Sequence, residues 1–329
     1  MSSYRTRKKL YTELEASRGS KVVLFATGDR PGMETQIAPD AVDPFVEHLD
    51  KIGPTEKISL ILYTVGGDTS AAWNIINLLH IFADDLEVIV PRKALSSGTI
   101  MSLGADRIIM TKQATLGPID PSINGPMNPQ IPGAGPHART PVSVEAIQGY
   151  LNIATEDLKI DDAGARAEIL MHLANNIHPL VLGQIFRSRS QIRELANQLL
   201  PRQVKDEKKR EKIVSFLCSD SGSHDYTMNR REARKLGLNI ETPSPELYGI
   251  INKIYGSFVS ELELRTKYDP VSILGNNASI DYAVKRCLIE SVQTKPDRFV
   301  SEGILRRLPA NHAQPNAIHD QRNFEGWKK

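Results

Sequence analysis

Apolar residues along the first third of the chain alternate between short runs and helical stripes. Lys21–Thr27, Ile58–Tyr63, Leu86–Val90 and Arg107–Met110 are short, rich in Val, Ile and Leu, and bounded by turn residues. That pattern predicts buried strands. Between them, Thr69–Phe82 sets Ala72, Ile75, Ile76 and Leu79 at helical spacing, and Ser96–Gly104 predicts a second, shorter helix. Pro39–Ile52 turns Val42, Phe45, Val46 and Leu49 to one side and is stopped by Gly53-Pro54. Strand, helix, strand, helix, strand is the order of a parallel α/β sheet with crossover helices.

The later chain changes character. Residues 1–18 and 245–264 read as helices that flank the sheet-forming part. Residues 124–141 are rich in Pro and Gly and carry no periodicity, which marks a long loop. Ala163–Leu200 has a long helical stripe through Ile169, Leu173, Ile177, Ile185 and Ile192, with Pro179 expected to divide it. Asn229 with Glu232 predicts a capping box for a helix over Arg230–Leu236, stopped by Gly237. Tyr282–Ser291 and Arg298–Arg307 predict a β-hairpin around Gln293–Asp297. From Pro309 onward there is no core pattern, and the tail is expected to be mobile. The expected organisation is a catalytic domain over 1–240 with a helical segment at about 143–215. An extension follows over 241–308, then a tail over 309–329.

Two strand-to-helix turns carry candidate chemistry. Val65-Gly66-Gly67-Asp68 follows one strand, and paired glycines let the backbone turn sharply with its N–H groups facing open space. Leu95-Ser96-Ser97-Gly98-Thr99 opens the second helix. A serine there sits at the carboxyl end of the sheet, where open α/β sheets bind ligands. Each turn also has an ordinary reading, a tight turn and an N-cap. Together they offer a nucleophile and backbone donors for an oxyanion.

The order Gly66-Gly67-Asp68, Ala94-Leu95-Ser96-Ser97-Gly98-Thr99, Gly104-Ala105-Asp106-Arg107-Ile108-Ile109-Met110 and Leu116-Gly117-Pro118-Ile119-Asp120-Pro121 resembles the Clp/crotonase superfamily. Within it the chain looks like the serine proteases related to signal peptide peptidase A, and most like the SDH-type (serine dehydrogenase proteinase) Clp-fold branch. The likeness spans roughly residues 20–240 and includes Ser223-His224-Asp225-Tyr226. It implies a Clp/crotonase-like parallel-sheet ββα spiral with a helical appendage, followed by the C-terminal hairpin. It also implies serine-dependent peptide hydrolysis. The family pattern of nucleophile, any residue, Gly assigns Ser96 as nucleophile, with the N–H groups of Gly67 and Ser97 as the oxyanion hole.

The base departs from both relatives. Signal peptide peptidases use a downstream Lys, and the stretch around His137-Ala138-Arg139 and Ser143-Val144-Glu145 has none. Arg139 does not deprotonate near neutral pH. Clp peptidases place a His where Asp120 stands here. His224 paired with Asp225 is the first candidate, ahead of His137 and Lys159, because imidazole titrates near neutrality. His48, His80, His172 and His178 lie in helical patterns and are expected to be structural. Two other classes stay open: a catalytically inactive Clp-fold scaffold or regulatory subunit, and a crotonase-type acyl-CoA enzyme.

Composition narrows the partners. The 329 residues are 40% hydrophobic and 24% charged with a formal net charge of +2, an ordinary balance that favours neither nucleic acid nor a membrane surface. No apolar run approaches the roughly 18 residues of a membrane span, and the basic N-terminus has no apolar segment after it, so no membrane anchor or signal peptide is expected. Two cysteines, Cys218 and Cys287, fit a reducing cytoplasm and give no metal-site spacing. No metal or other cofactor is expected. The expected partners are a peptide or protein substrate and further copies of the chain in a homo-oligomer.

Overall fold

The computed structural model describes residues 3–119, 122–135, 137–220, 226–308 and 317–329. The chain forms two compact units, Met1–Leu116 with Met228–Lys329, and Gly117–Thr227.

The first unit is built on an eight-stranded sheet. Its helices and strands run α1 (Tyr4–Arg18), β1 (Lys21–Thr27), α2 (Val42–Ile52), β2 (Thr55–Tyr63), α3 (Thr69–Phe82), β3 (Ala83–Val90), α4 (Ser97–Leu103) and β4 (Arg107–Met110), then β5 (Ile240–Glu241), β6 (Ser279–Ser291), β7 (Asp297–Arg307) and β8 (Ile318–Lys328). The spatial order is β5-β4-β3-β2-β1-β6-β7-β8. The five strands from β5 to β1 are mutually parallel, and β6, β7 and β8 continue the sheet antiparallel. The mixed α/β class with a parallel central sheet is the one expected.

The register explains the core. Leu24 pairs with Ile61, Ile61 with Ile89, and Ile89 with Ile109. Side chains in register share a face, so these four form a row of aliphatic residues across the sheet. They join one buried cluster with Leu10 and Leu14 of α1 and with Leu247, Ile251, Ile254 and Phe258 of the helix Pro245–Glu261. The continuous apolar runs in the sequence are therefore strands covered on both faces.

Two details differ from expectation. β2 and β3 begin at Thr55 and Ala83, three residues before their apolar runs, because Thr55 pairs with Ala83 and Lys57 with Asp85. Backbone pairing extends the strands through polar residues that hydropathy does not flag. The segment beyond Pro309, expected to be mobile, contains β8. That strand is almost wholly exposed and is held by pairing with β7 and by an edge contact of Trp327 with Phe299. The described residues of 124–141 form the long loop expected, with an isolated bridge between Gln130 and Arg139 and an Asn128 amide that donates to Thr140 O at 2.9 Å. The hairpin of β6 and β7 forms as expected, and so does the capping box at Asn229.

The second unit is helical: Val144–Asn152, Ala163–Asn176, Pro179–Leu199 and Glu207–Ser215. Pro179 stands at the start of the third of these, as expected, because its missing N–H is harmless there. Val142, Val144, Ile147, Leu173, Val181, Leu182 and Ile185 form a core within this unit.

Candidate active site

Three backbone segments meet at the carboxyl ends of β1, β2 and β3. The link after β2 is organised by Thr64, which is fully buried. Its hydroxyl accepts from Gly66 N–H at 3.0 Å and from the Thr27 hydroxyl at 2.8 Å. Its backbone pairs with the loop after β3, with Thr64 N donating to Lys93 O at 3.2 Å and Leu95 N to Thr64 O at 3.1 Å. The two turns read from the sequence are thereby held side by side.

The third segment ends at Ile37. Ile37 N donates to Gly66 O at 2.8 Å, and Asp68 N donates to Ile37 O at 2.7 Å. Both groups of Ile37 bond the residues flanking Gly67, so Gly67 presents its own N–H and C=O to the opposite edge. On that edge the Ser97 hydroxyl donates to Gly67 O at 2.6 Å. Among the described residues the Gly67 and Ser97 N–H groups have no hydrogen-bond acceptor. Gly66 and Gly67 have φ of 113° and 144°, a region that favours glycine. The approach is also close: a Cβ on Gly66 would lie 2.8 Å from Ser96 Cβ, and one on Gly67 would lie 2.2 Å from Ile37 O.

Ser96 stands at the entrance to α4 with φ 50° and ψ −116°. For a residue with a Cβ this is a sparsely populated conformation that must be held by its surroundings. Here Gly98 lets the first turn of α4 settle against Thr64, since a Cβ on Gly98 would lie 2.4 Å from Thr64 Cγ2. Ser96 is partly exposed whereas Ser97 to Ile100 are buried. Ser96 Oγ has no hydrogen-bond partner among the described residues.

A charged cluster lies at the same strand ends. Lys93 pairs with Asp29, whose other carboxylate oxygen accepts from Tyr63 OH at 2.7 Å. Burial, then the Asp29 carboxylate, pushes the Tyr63 phenol far above its usual range, so it stays a donor.

The structure thus brings Ser96, Ser97 and Gly67 together. His224 and Asp225 lie outside the described residues, as do Ser223 and Asp120. His137 and Lys159 are exposed residues of the helical unit, and Lys159 has φ 54°. Of the histidines expected to be structural, His48 lies 2.8 Å from Ser291 Oγ and 3.1 Å from Asp297 Oδ2, and His80 Nε2 lies 2.9 Å from Gly104 O. His178 caps the helix at Pro179 by accepting from Leu180 N at 3.2 Å. Among the described residues no group of three or more His, Cys, Asp or Glu is placed to hold a metal ion. Reading the sequence missed Thr64 and Ile37. Thr64 directly precedes the Val-Gly-Gly turn and was within reach of that reading, whereas nothing near Ile37 marks it.

Comparison with known proteins bears on this site. Residues 48–134, which contain both turns, match the family described as ClpP-like SDH-type serine proteinase. Two uncharacterized proteins of Methanocaldococcus jannaschii are similar. One is 30% identical over 206 residues, covering 62% of this chain and 61% of its own, and the other is 29% identical over 189 residues, covering 57% and 53%. The match thus spans less than two thirds of either relative. Among solved structures, a membrane-bound stomatin-specific protease covers 66% of this chain and 79% of its own at 18% identity, with a TM-score of 0.37. ClpP1 from Listeria monocytogenes covers 72% and 99% at 14% identity, with a TM-score of 0.39.

Proposed function

With a ClpP-like SDH-type serine proteinase sequence over residues 48–134 as the premise, we propose that this protein hydrolyses peptide bonds through Ser96. The observation that carries the reading is the backbone of Ser96, held at φ 50° and ψ −116° against the Gly66-Gly67 turn. Strain of this kind is retained where a side chain must be aimed. Ser96 Oγ attacks the substrate carbonyl carbon, and the carbonyl oxygen takes the negative charge. The N–H groups of Gly67 and Ser97 receive that charge. The C–N bond then breaks, the amine leaves with the proton taken from Ser96, and water hydrolyses the acyl-enzyme. His224 is the proposed base, oriented by Asp225, with His137 and Lys159 as the alternatives. The proposed substrate is a peptide or a protein, and the proposed compartment is the cytoplasm.

A fluorophosphonate probe and casein hydrolysis test the reading together. The expected result is labelling at Ser96 and proteolysis, both abolished in Ser96→Ala. Activity retained by Ser96→Ala would overturn the assignment. A chain that is never labelled in any assembly state would favour an inactive scaffold. Labelling with no action on peptides, but turnover of an acyl-CoA, would favour the crotonase class.

The base is tested separately. His224→Ala should lower turnover by about 10⁴-fold, since members of such a unit act together. A normal rate in that variant transfers the assignment to His137 or Lys159.

A further inference from the structure

Ser97 contributes its backbone N–H to the proposed site, but its side chain has a separate and unassigned position. The hydroxyl is 1% exposed with its residue, so substrate does not reach it. It spans the two turns, donating to Gly67 O at 2.6 Å. Gly67 is held from its other edge by Ile37 through Gly66 O and Asp68 N. Among the described residues this hydroxyl is what holds Gly67 on the Ser97 edge: the Gly67 N–H is unpaired, and the Gly67 carbonyl meets Ser97 Oγ. Two adjacent glycines have the softest backbone of any dipeptide. Without this tether, Gly67 is held from the Ile37 edge alone.

We propose that the Ser97 hydroxyl is a positioning residue: by holding Gly67 O it sets the direction and distance of the Gly67 N–H relative to Ser96, and so couples the two halves of the oxyanion hole. The proposal rests on the serine-hydrolase reading of the same site. It explains why a hydroxyl residue follows the nucleophile at a buried position, the first residue of α4, where burial alone would accept a small apolar side chain. It also separates two functions of one residue. Replacing Ser97 by Ala keeps the backbone N–H and removes only the tether.

The test uses the full chain, a 4-nitrophenyl ester, a fluorophosphonate probe and phenylboronic acid, whose adduct on a serine carries a tetrahedral oxyanion. Ser102→Ala is the control, because Ser102 is a buried serine of the same helix whose hydroxyl donates to Gly98 O at 2.9 Å. Ser97→Ala is expected to lower kcat on the order of 100-fold, as a displacement of about 1 Å does, with KM within about twofold. Boronate affinity should fall in parallel. Hydrogen exchange over residues 64–70 should accelerate, and Ser97→Thr, which keeps the hydroxyl, should recover much of the rate. Ser102→Ala should move none of these readouts. If the wild-type chain turns over the ester and Ser97→Ala matches it in kcat and boronate affinity, the proposal is wrong while the serine-hydrolase reading stands. If Ser97→Ala and Ser102→Ala lose rate equally with equal loss of Tm, the hydroxyl serves packing and the proposal fails. If Ser96 of the wild type takes up no fluorophosphonate, the underlying reading fails and the positioning role falls with it.

Discussion

Ser96 occupies a backbone conformation that costs on the order of 1–3 kcal/mol for a residue with a Cβ, and single-residue geometry around it is correspondingly tight. A Cβ on Gly67 would lie 2.2 Å from Ile37 O and 2.5 Å from Ile37 N, both backbone atoms, at a φ of 144°. Gly67→Ala should therefore lose about 2–4 kcal/mol of stability, read as a lower Tm, together with labelling at Ser96. Gly149→Ala is the contrast. Its Cβ would meet nothing within 4 Å, and it lies inside the helix Val144–Asn152, so its Tm should rise slightly. Equal losses in the two variants would contradict the packing described at Gly67. At another site, Ser291, His48 and Asp297 imitate a hydrolytic triad. All three are buried, so no substrate reaches them. Burial first, and then Lys329, pushes the His48 imidazole down to about 4 even though Asp297 is close. Glu47 opposes that shift, and burial pushes the Asp297 carboxyl upward. His48 is thus neutral in the folded chain and protonates more readily when unfolded. Its contribution is fully present above pH 6.5 and is lost as pH falls from about 6.5 towards about 4, an effect of about 3 kcal/mol. The raised Asp297 carboxyl subtracts from this trend near the bottom of the window. Urea denaturation at several pH values should show a shallower pH slope in His48→Gln, and an unchanged slope would refute the linkage.

Elements far apart in sequence are joined by buried charge. Arg7 of α1 is fully buried and pairs with Glu290 of β6 at 2.5 Å and Glu261 at 2.6 Å, while Tyr11 donates to Glu290 at 2.6 Å. Lys285 and Arg298 also reach Glu261, and Lys285 and Arg7 hold its carboxyl down at about 2 against the opposing effect of burial. Arg7→Met leaves two buried carboxylates short of a partner, so it should cost about 3–5 kcal/mol, measured by urea unfolding. A change below about 1 kcal/mol would mean that the pairing is relieved by water or rearrangement. At this scale the sequence was legible where the elements are apolar. α3 over Thr69–Phe82 and β4 over Arg107–Met110 have the bounds read from hydropathy. β8 was not legible, because its side chains are almost all exposed and its stability comes from backbone pairing with β7. The Arg7 network was equally silent: a basic helix start reads as a solvated face until β6 supplies the carboxylate.

At the scale of the whole molecule, large apolar side chains are left uncovered in both units, among them Ile81 and Val271 in the sheet unit. In the unit Gly117–Thr227, Leu158, Leu170, Met171, Leu180 and Phe186 are 65%, 54%, 66%, 61% and 46% exposed. Contiguous exposed apolar patches mark interaction surfaces; the proposal is that these side chains form one and that its occupant is another copy of this chain, assembled with closed symmetry. Light scattering at micromolar concentration should give an oligomer, with Leu170→Asp shifting it towards smaller species. An active monomer of 36.5 kDa would overturn the proposal. No helix among the described residues is long and apolar enough to cross a membrane.

What the sequence by itself determined is what neighbouring residues decide between them: the parallel α/β core, from apolar runs alternating with helical stripes, and the two glycine- and serine-bearing turns, whose chemistry lies within a few consecutive residues. The tertiary structure alone decided what depends on residues remote in sequence. It brought Ile37 against Gly67 and Thr64 between the two turns, and it joined Ser97 Oγ to Gly67 O. It also continued the sheet into β8 and closed the Arg7 network. Hydropathy records whether a side chain prefers water, and these features are set by where a backbone carbonyl or a carboxylate arrives from another part of the chain.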